Sequence, residues 1–122
     1  MAKVYVIQEN NLDFSAAEDH GSIVFLSVDR RDDFHNVANS EHNRSLMAQL
    51  RRQLRNYDVQ EDWLVITGSP YVCAAVFALL GSMGYKRLRI LRWDNRDLRY
   101  LPLTLQLDQE TTDDEEKYDG QG

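Results

Sequence analysis

The residues best placed to do chemistry are Gly68, Ser69 and Pro70, which follow the apolar run Trp63 to Thr67 and open a long apolar stretch. A strand that ends in a tight turn and re-enters as a helix points unpaired amides and a partial positive charge outward, an arrangement that can hold an anion. Pro70 suits the first helical position and Ser69 suits the cap, so the same residues also describe an ordinary capped helix start. The turn carries neither the lysine-bearing phosphate loop nor the three-glycine dinucleotide fingerprint. Ligands of open parallel sheets lie beyond the carboxyl ends of the strands. That rule adds Asp29, Thr67, Trp93 and Asp94 to Gly68 and Ser69 as candidate ligand-binding residues, for a nucleotide or another phosphate-bearing molecule.

Other chemistries are poorly supplied. His20, His35 and His42 lie in polar segments, where imidazoles titrate near neutral pH, but none has a histidine at helical i+4 spacing or a cysteine nearby. A metal site is therefore not expected, and no cofactor is implied. His35 stands close in sequence to Asp32 and Asp33, which with Asp29 could form an acid/base or divalent-ion site; a solvated acidic loop is the simpler reading. Cys73 sits among Val72, Ala74, Ala75 and Val76 and reads as a small core residue in a reducing compartment. No set of residues reaches what catalysis requires, so the chain points away from an enzyme.

Charge gives a further surface to weigh. The net charge is −6, yet residues 108–122 alone hold seven acids against Lys117, leaving 13 acidic and 13 basic side chains before them. Within that neutral body, residues 1–43 carry three basic and eight acidic groups and residues 44–107 carry ten and five. The polarity allows a local basic surface despite the acidic total. Its candidate members are Arg44, Arg51 and Arg55 on one helix, and Arg89, Arg92 and Arg96 around the last strands, where Trp93 or Tyr100 could stack on a base. Nucleic acid or an acidic protein are the partners such a surface would take, against the simpler reading of solvated arginines.

These residues need a scaffold, and hydrophobic patterning supplies one. Lys3 to Gln8 alternates β-branched and aromatic residues, and Ser22 to Val28 is a continuous apolar run, so both read as strands joined by a polar connection with a helical turn near Ser15 to Asp19. Ser40 caps a helix through about Tyr57, with Leu46, Met47, Leu50, Leu54 and Tyr57 as its buried stripe. Trp63 to Thr67 is a third strand, and Pro70 to Met83 a helix so apolar that it should be hidden on more than one side. Arg87 to Trp93 and Leu98 to Leu107 form an antiparallel hairpin across Asp94 to Asp97, with Pro102 marking an edge strand. The order β-β-α-β-α-β-β predicts a small α/β fold with a mostly parallel sheet of about five strands. Residues 1–107 are then one domain, and 108–122 a disordered acidic tail.

The apolar second helix has too little chain around it to be covered on all sides, which makes a homo-oligomer or another protein its natural cover. No run is long enough to cross a membrane, and the N-terminus lacks a signal-peptide pattern, so the cytoplasm is the expected location. The segments Asp62 to Pro70 (DWLVITGSP) and Leu91 to Leu103 (LRWDNRDLRYLPL) together resemble small accessory proteins of tailed bacteriophages. The resemblance covers the C-terminal half. It implies a protein acting on host or phage macromolecules within an infected bacterium and brings no catalytic residues to carry over. A non-enzymatic accessory protein working through protein contacts, as a homodimer, is the leading expectation; ligand binding at the Gly68 turn and nucleic-acid binding are the alternatives.

Overall fold

The computed structural model describes residues 1–9, 12–28, 33–38 and 40–107. Asp29 and the acidic segment 108–122 lie outside the described residues. Five strands, β1 (Lys3–Gln8), β2 (Ser22–Ser27), β3 (Trp63–Val65), β4 (Arg87–Asp94) and β5 (Arg99–Gln106), form one sheet in the order β2-β1-β3-β4-β5. β1 is parallel to β2 and β3, β3 is parallel to β4, and β5 returns antiparallel to β4. The expected α/β fold with a C-terminal hairpin is what the chain forms, and β5, with Pro102, is an edge strand.

Two helices, α1 (Glu41–Leu54) and α2 (Pro70–Ser82), supply the crossovers β2 to β3 and β3 to β4. Both steps run the same way across the sheet, so right-handed connections put both helices on one face. The step from β1 to β2 runs the other way and places the short 3₁₀ helix Ser15–Asp19 on the opposite face. The core divides accordingly. Tyr5, Ile7, Leu26, Leu64, Leu88 and Ile90 pack under the helices, while Val4, Val6, Val65, Leu91 and Tyr100 pack with Phe14 and Ala17 on the other side.

The helix starts follow their capping residues. Ser40 Oγ accepts from the Asn43 amide at 3.3 Å, and Ser69 Oγ accepts from the Tyr71 and Val72 amides at 3.1 and 3.4 Å. On α1, Leu46, Leu50 and Leu54 are buried and Tyr57 beyond it is buried too. On α2, Val72, Cys73, Val76, Leu79 and Leu80 are buried, but Tyr71, Ala74, Ala78 and Gly81 remain exposed. This helix is thus covered on one side in the single chain and presents a small-residue strip on the other, less hidden than its composition suggests.

Several boundaries differ from the sequence pattern: α1 stops at Leu54, short of Tyr57, and α2, β2 and β5 end at Ser82, Ser27 and Gln106, while β4 runs on to Asp94. β3 stops at Val65 instead of Thr67, because the Thr67 hydroxyl turns back to bond the main chain of Gln8. β5 begins at Arg99 because Leu98 takes a left-handed conformation (φ 52°) in the hairpin turn.

Burial pushes the Tyr57 phenol up to about 12, with the negative charge of Asp62 adding and the amide and charge of Arg89 opposing. The native state therefore keeps this proton between pH 10 and 12 while the unfolded chain has lost it, so stability falls as pH rises through that window. Denaturant titrations across the window should show a loss of roughly 2 kcal/mol that is reduced in Tyr57→Phe. An unchanged slope in that variant would assign the loss to other groups, of which Tyr5 and Tyr100, also raised by burial, are the first to test.

Candidate functional site

In the order β2-β1-β3-β4, the connections change direction at β1 and β3, so the carboxyl ends of those strands define the crevice where doubly wound sheets bind ligands. Here Gln8 fills it. Its side chain is fully buried; Oε1 accepts from the Ser69 amide at 2.8 Å and Nε2 donates to Ser27 Oγ at 3.4 Å. Thr67 Oγ1 accepts from the Gln8 amide at 3.2 Å and donates to its carbonyl at 2.5 Å. Gly68 has φ 87°, and a Cβ there would lie 2.2 Å from Gln8 Oε1, so a glycine is needed for both conformation and space.

The start of α2 is equally occupied. The amides of Ser69, Tyr71 and Val72 are all bonded within the protein, and Ser69 Oγ donates to Asp33 Oδ1 at 2.8 Å. A carboxylate thus stands at the helix start, where a phosphate would need positive potential. His42 Nε2 lies 2.7 Å from the Asp33 carbonyl, and the His35 and His42 rings stack with centroids 4.0 Å apart. Asp33 is a member of this cluster that reasoning from strand ends passed over. Among the described residues, no three His, Cys, Asp or Glu side chains come together in a set that could hold a metal ion.

The open concavity lies one strand over. β3 ends at Val65 while β4 runs on to Asp94, so the hairpin projects past the end of its parallel neighbour. The gap is a cleft of about 500 Å³. Val65, Ile66 and Thr67 form one wall, Ile90 to Trp93 and Tyr100 the other, and Leu12, Asp13 and Phe14 close it. Trp93 and Tyr100 meet edge to face with centroids 5.0 Å apart, and Trp93 Nε1 donates to Asn95 Oδ1 at 2.7 Å, which fixes the indole. Phe14 is anchored against Phe25. Around the mouth, Leu12, Ile66 and Trp93 remain 62%, 50% and 44% exposed. The polar groups are few: the Thr67 hydroxyl and the Asp13 carboxylate, whose pKa is lowered by hydrogen bonds from the Ser15 amide and hydroxyl. Burial, with the charge of Asp13 adding, raises the Tyr100 phenol.

The residues singled out from the sequence therefore separate. Thr67 and Trp93 line the cleft, with Gly68 and Ser69 in the adjoining turn. Asp94 accepts from the Arg96 amide at 3.1 Å and helps shape the hairpin turn. The arginines do not form one surface. Arg44 and Arg51 on α1 and Arg55 at its C-cap are exposed, and Arg44 pairs with Glu41 at 3.1 Å. Arg89 lies on the opposite face of the sheet, its guanidinium 3.8 Å from the centre of the Trp63 ring and bonded to the Gln60 carbonyl. Arg92 borders the cleft and Arg96 sits at the hairpin tip. Leu12 and Phe14 are cleft residues that the sequence reading missed, an aromatic residue inside the polar connection after β1 being the available signal, while Tyr100, named there only as a base-stacking aromatic, proves to share the cleft with Trp93.

Fold and site together define a small doubly wound α/β domain whose terminal hairpin walls an aromatic cleft. A family model described as Phage Pam3 gp32-like protein matches residues 2–107, and the chain belongs to that family. The match extends the resemblance noted in the C-terminal half across the N-terminal strands as well. No curated protein and no solved structure matches. No helix among the described residues is long and apolar enough to cross a membrane.

Proposed function

We propose that this phage-family protein works by binding another protein through the cleft between β3 and the hairpin, and that its role is recognition without turnover. The observation that carries this reading is the continuity of the apolar cleft wall with the exposed rim of Leu12, Ile66 and Trp93. A pocket for a small solute conceals its apolar surface inside; an apolar rim gains from being covered only when a larger surface docks on it. Trp and Tyr are among the residue types that dominate interface energetics, and Trp93 and Tyr100 stand together here. The partner suited to this site presents a large apolar or aromatic side chain, flanked by a positive charge that meets Asp13.

The test is co-purification from phage-infected cells with quantitative mass spectrometry, comparing the wild type with Trp93→Ala and Leu12→Asp. Both positions are exposed, so folding should survive, as circular dichroism and thermal melting would verify. Recovery of a specific partner should fall roughly 30-fold in Trp93→Ala, as for an interface hot spot. Equal recovery by all three proteins would remove the cleft from the interaction. A nucleotide that raises the melting temperature of the wild type and not of Trp93→Ala would instead assign the cleft to a small ligand.

A further inference from the structure

The helix-bearing face of the sheet is left unfinished at its hairpin edge. Side chains alternate along β5, and Leu103 packs against the core beneath the helices, so Leu101 and Leu105 share its face, with Leu107 next in the series. Leu101, Leu105 and Leu107 are 37%, 41% and 53% exposed. A further crossover helix would cover such a strand in a longer doubly wound fold, but here the chain turns back as a hairpin and then passes into residues 108–122. Residues 108–122 contain no aliphatic residue and one aromatic, Tyr118, so their composition supplies no apolar cover.

We propose that a second copy of this chain covers the leucine face of β5, with the two β5 strands antiparallel about a two-fold axis. The stripe from Leu101 to Leu107 is about 20 Å long and apolar throughout, so it is its own complement. Charge selects the antiparallel arrangement. Each copy has seven acids and one lysine immediately after β5, and Arg92, Arg96 and Arg99 with Asp94 and Asp97 at the opposite end of the strand. Parallel apposition would put two strongly acidic segments side by side. Antiparallel apposition sets the two points at which the chain leaves β5 farther apart than the ~8 Å over which charges act at physiological salt, and brings each such point beside the net-positive hairpin tip of the other copy. The contact is face to face, because Pro102 has no N–H and interrupts main-chain pairing along the open edge.

Light scattering coupled to size-exclusion chromatography on the full chain, up to about 200 µM, tests this directly. The wild type should run as a dimer. Leu105→Glu, at an exposed position, should run as a monomer with its circular dichroism spectrum and cooperative melting retained. Deleting residues 108–122 should weaken self-association several-fold at low salt and flatten its salt dependence. A wild type that stays monomeric, or a dimer that survives Leu105→Glu, overturns the leucine interface; unweakened dimerisation after the deletion overturns the antiparallel placement. Trp93→Ala should leave the dimer intact, so loss of the cleft partner and loss of the second copy are read separately.

Discussion

Gly68→Ala is expected to lower stability by roughly 3 kcal/mol, the sum of a left-handed backbone imposed on a residue with a side chain and an overpacked contact. In a two-state domain of this size that is a fall in melting temperature of roughly 15 °C. At φ 87° the turn already disfavours alanine. The new Cβ would also meet not only the movable amide of Gln8 but its Cβ at 2.5 Å, which can retreat only with the strand. Gln8 in turn cannot shift freely, because its amide bonds Ser69 and Ser27 and its main chain bonds Thr67. Truncating the obstructing side chain in Gly68→Ala/Gln8→Ala relieves part of the clash at the cost of those bonds. Chemical denaturation of the two single variants and the double variant should therefore give a double-mutant coupling of opposite sign to simple loss, with the double less destabilised than the sum. Additive losses would mean that backbone strain at Gly68 acts alone.

The same crevice shows which physical information a linear chain carries. The apolar runs that become β1, β3 and α2, and the Ser40 and Ser69 caps, are local: each depends on residues within a turn or two of itself, and each was readable. Gln8 looked like nothing more than the polar end of a strand, because its function depends on Thr67 and Ser69, roughly sixty positions away, and on β1 and β3 being neighbours. Asp33 reaches Ser69 across 36 positions for the same reason. The cleft is a difference between strand lengths. The apolar run Trp63 to Thr67 suggested a strand reaching Thr67, and only the bonds from Thr67 to Gln8 end β3 early enough to open the gap beside β4. Thr67 and Trp93 were nominated because they follow strands, whereas Phe14 and Tyr100 reach the same place from elements whose facing depends on tertiary packing. The arginines make the converse point. Spacing assigned each to a face of its own element, but which face of the sheet an element occupies follows from crossover direction, and that put Arg89 on the far side from α1.

Asp62→Ala is expected to cost about 3 kcal/mol, as large as truncating a buried leucine, although nothing in its residue type marks it as core. The side chain is 2% exposed. Oδ1 accepts from the Lys3 amide at 2.9 Å and Oδ2 from the Asp58 amide at 2.8 Å, while its own amide donates to the Asp58 carbonyl. One carboxylate thus closes the turn before β3 and ties it to the first residue of β1, immediately ahead of the Val4 and Trp63 pairing. Its removal leaves two donors without their acceptor where water has limited access, which costs more than the bonds themselves contribute. Asp62→Asn separates the two ways this residue can act. Asparagine retains one oxygen but turns its amide hydrogens toward a backbone N–H, so about half the loss is expected if geometry dominates. It also deletes the charge that helps raise the Tyr5 and Tyr57 phenols. Their spectrophotometric titration should then shift toward the ordinary tyrosine value in the variant. Full stability in Asp62→Asn with shifted phenols would confine the carboxylate to an electrostatic role; a large loss with unshifted phenols would make it a backbone clasp.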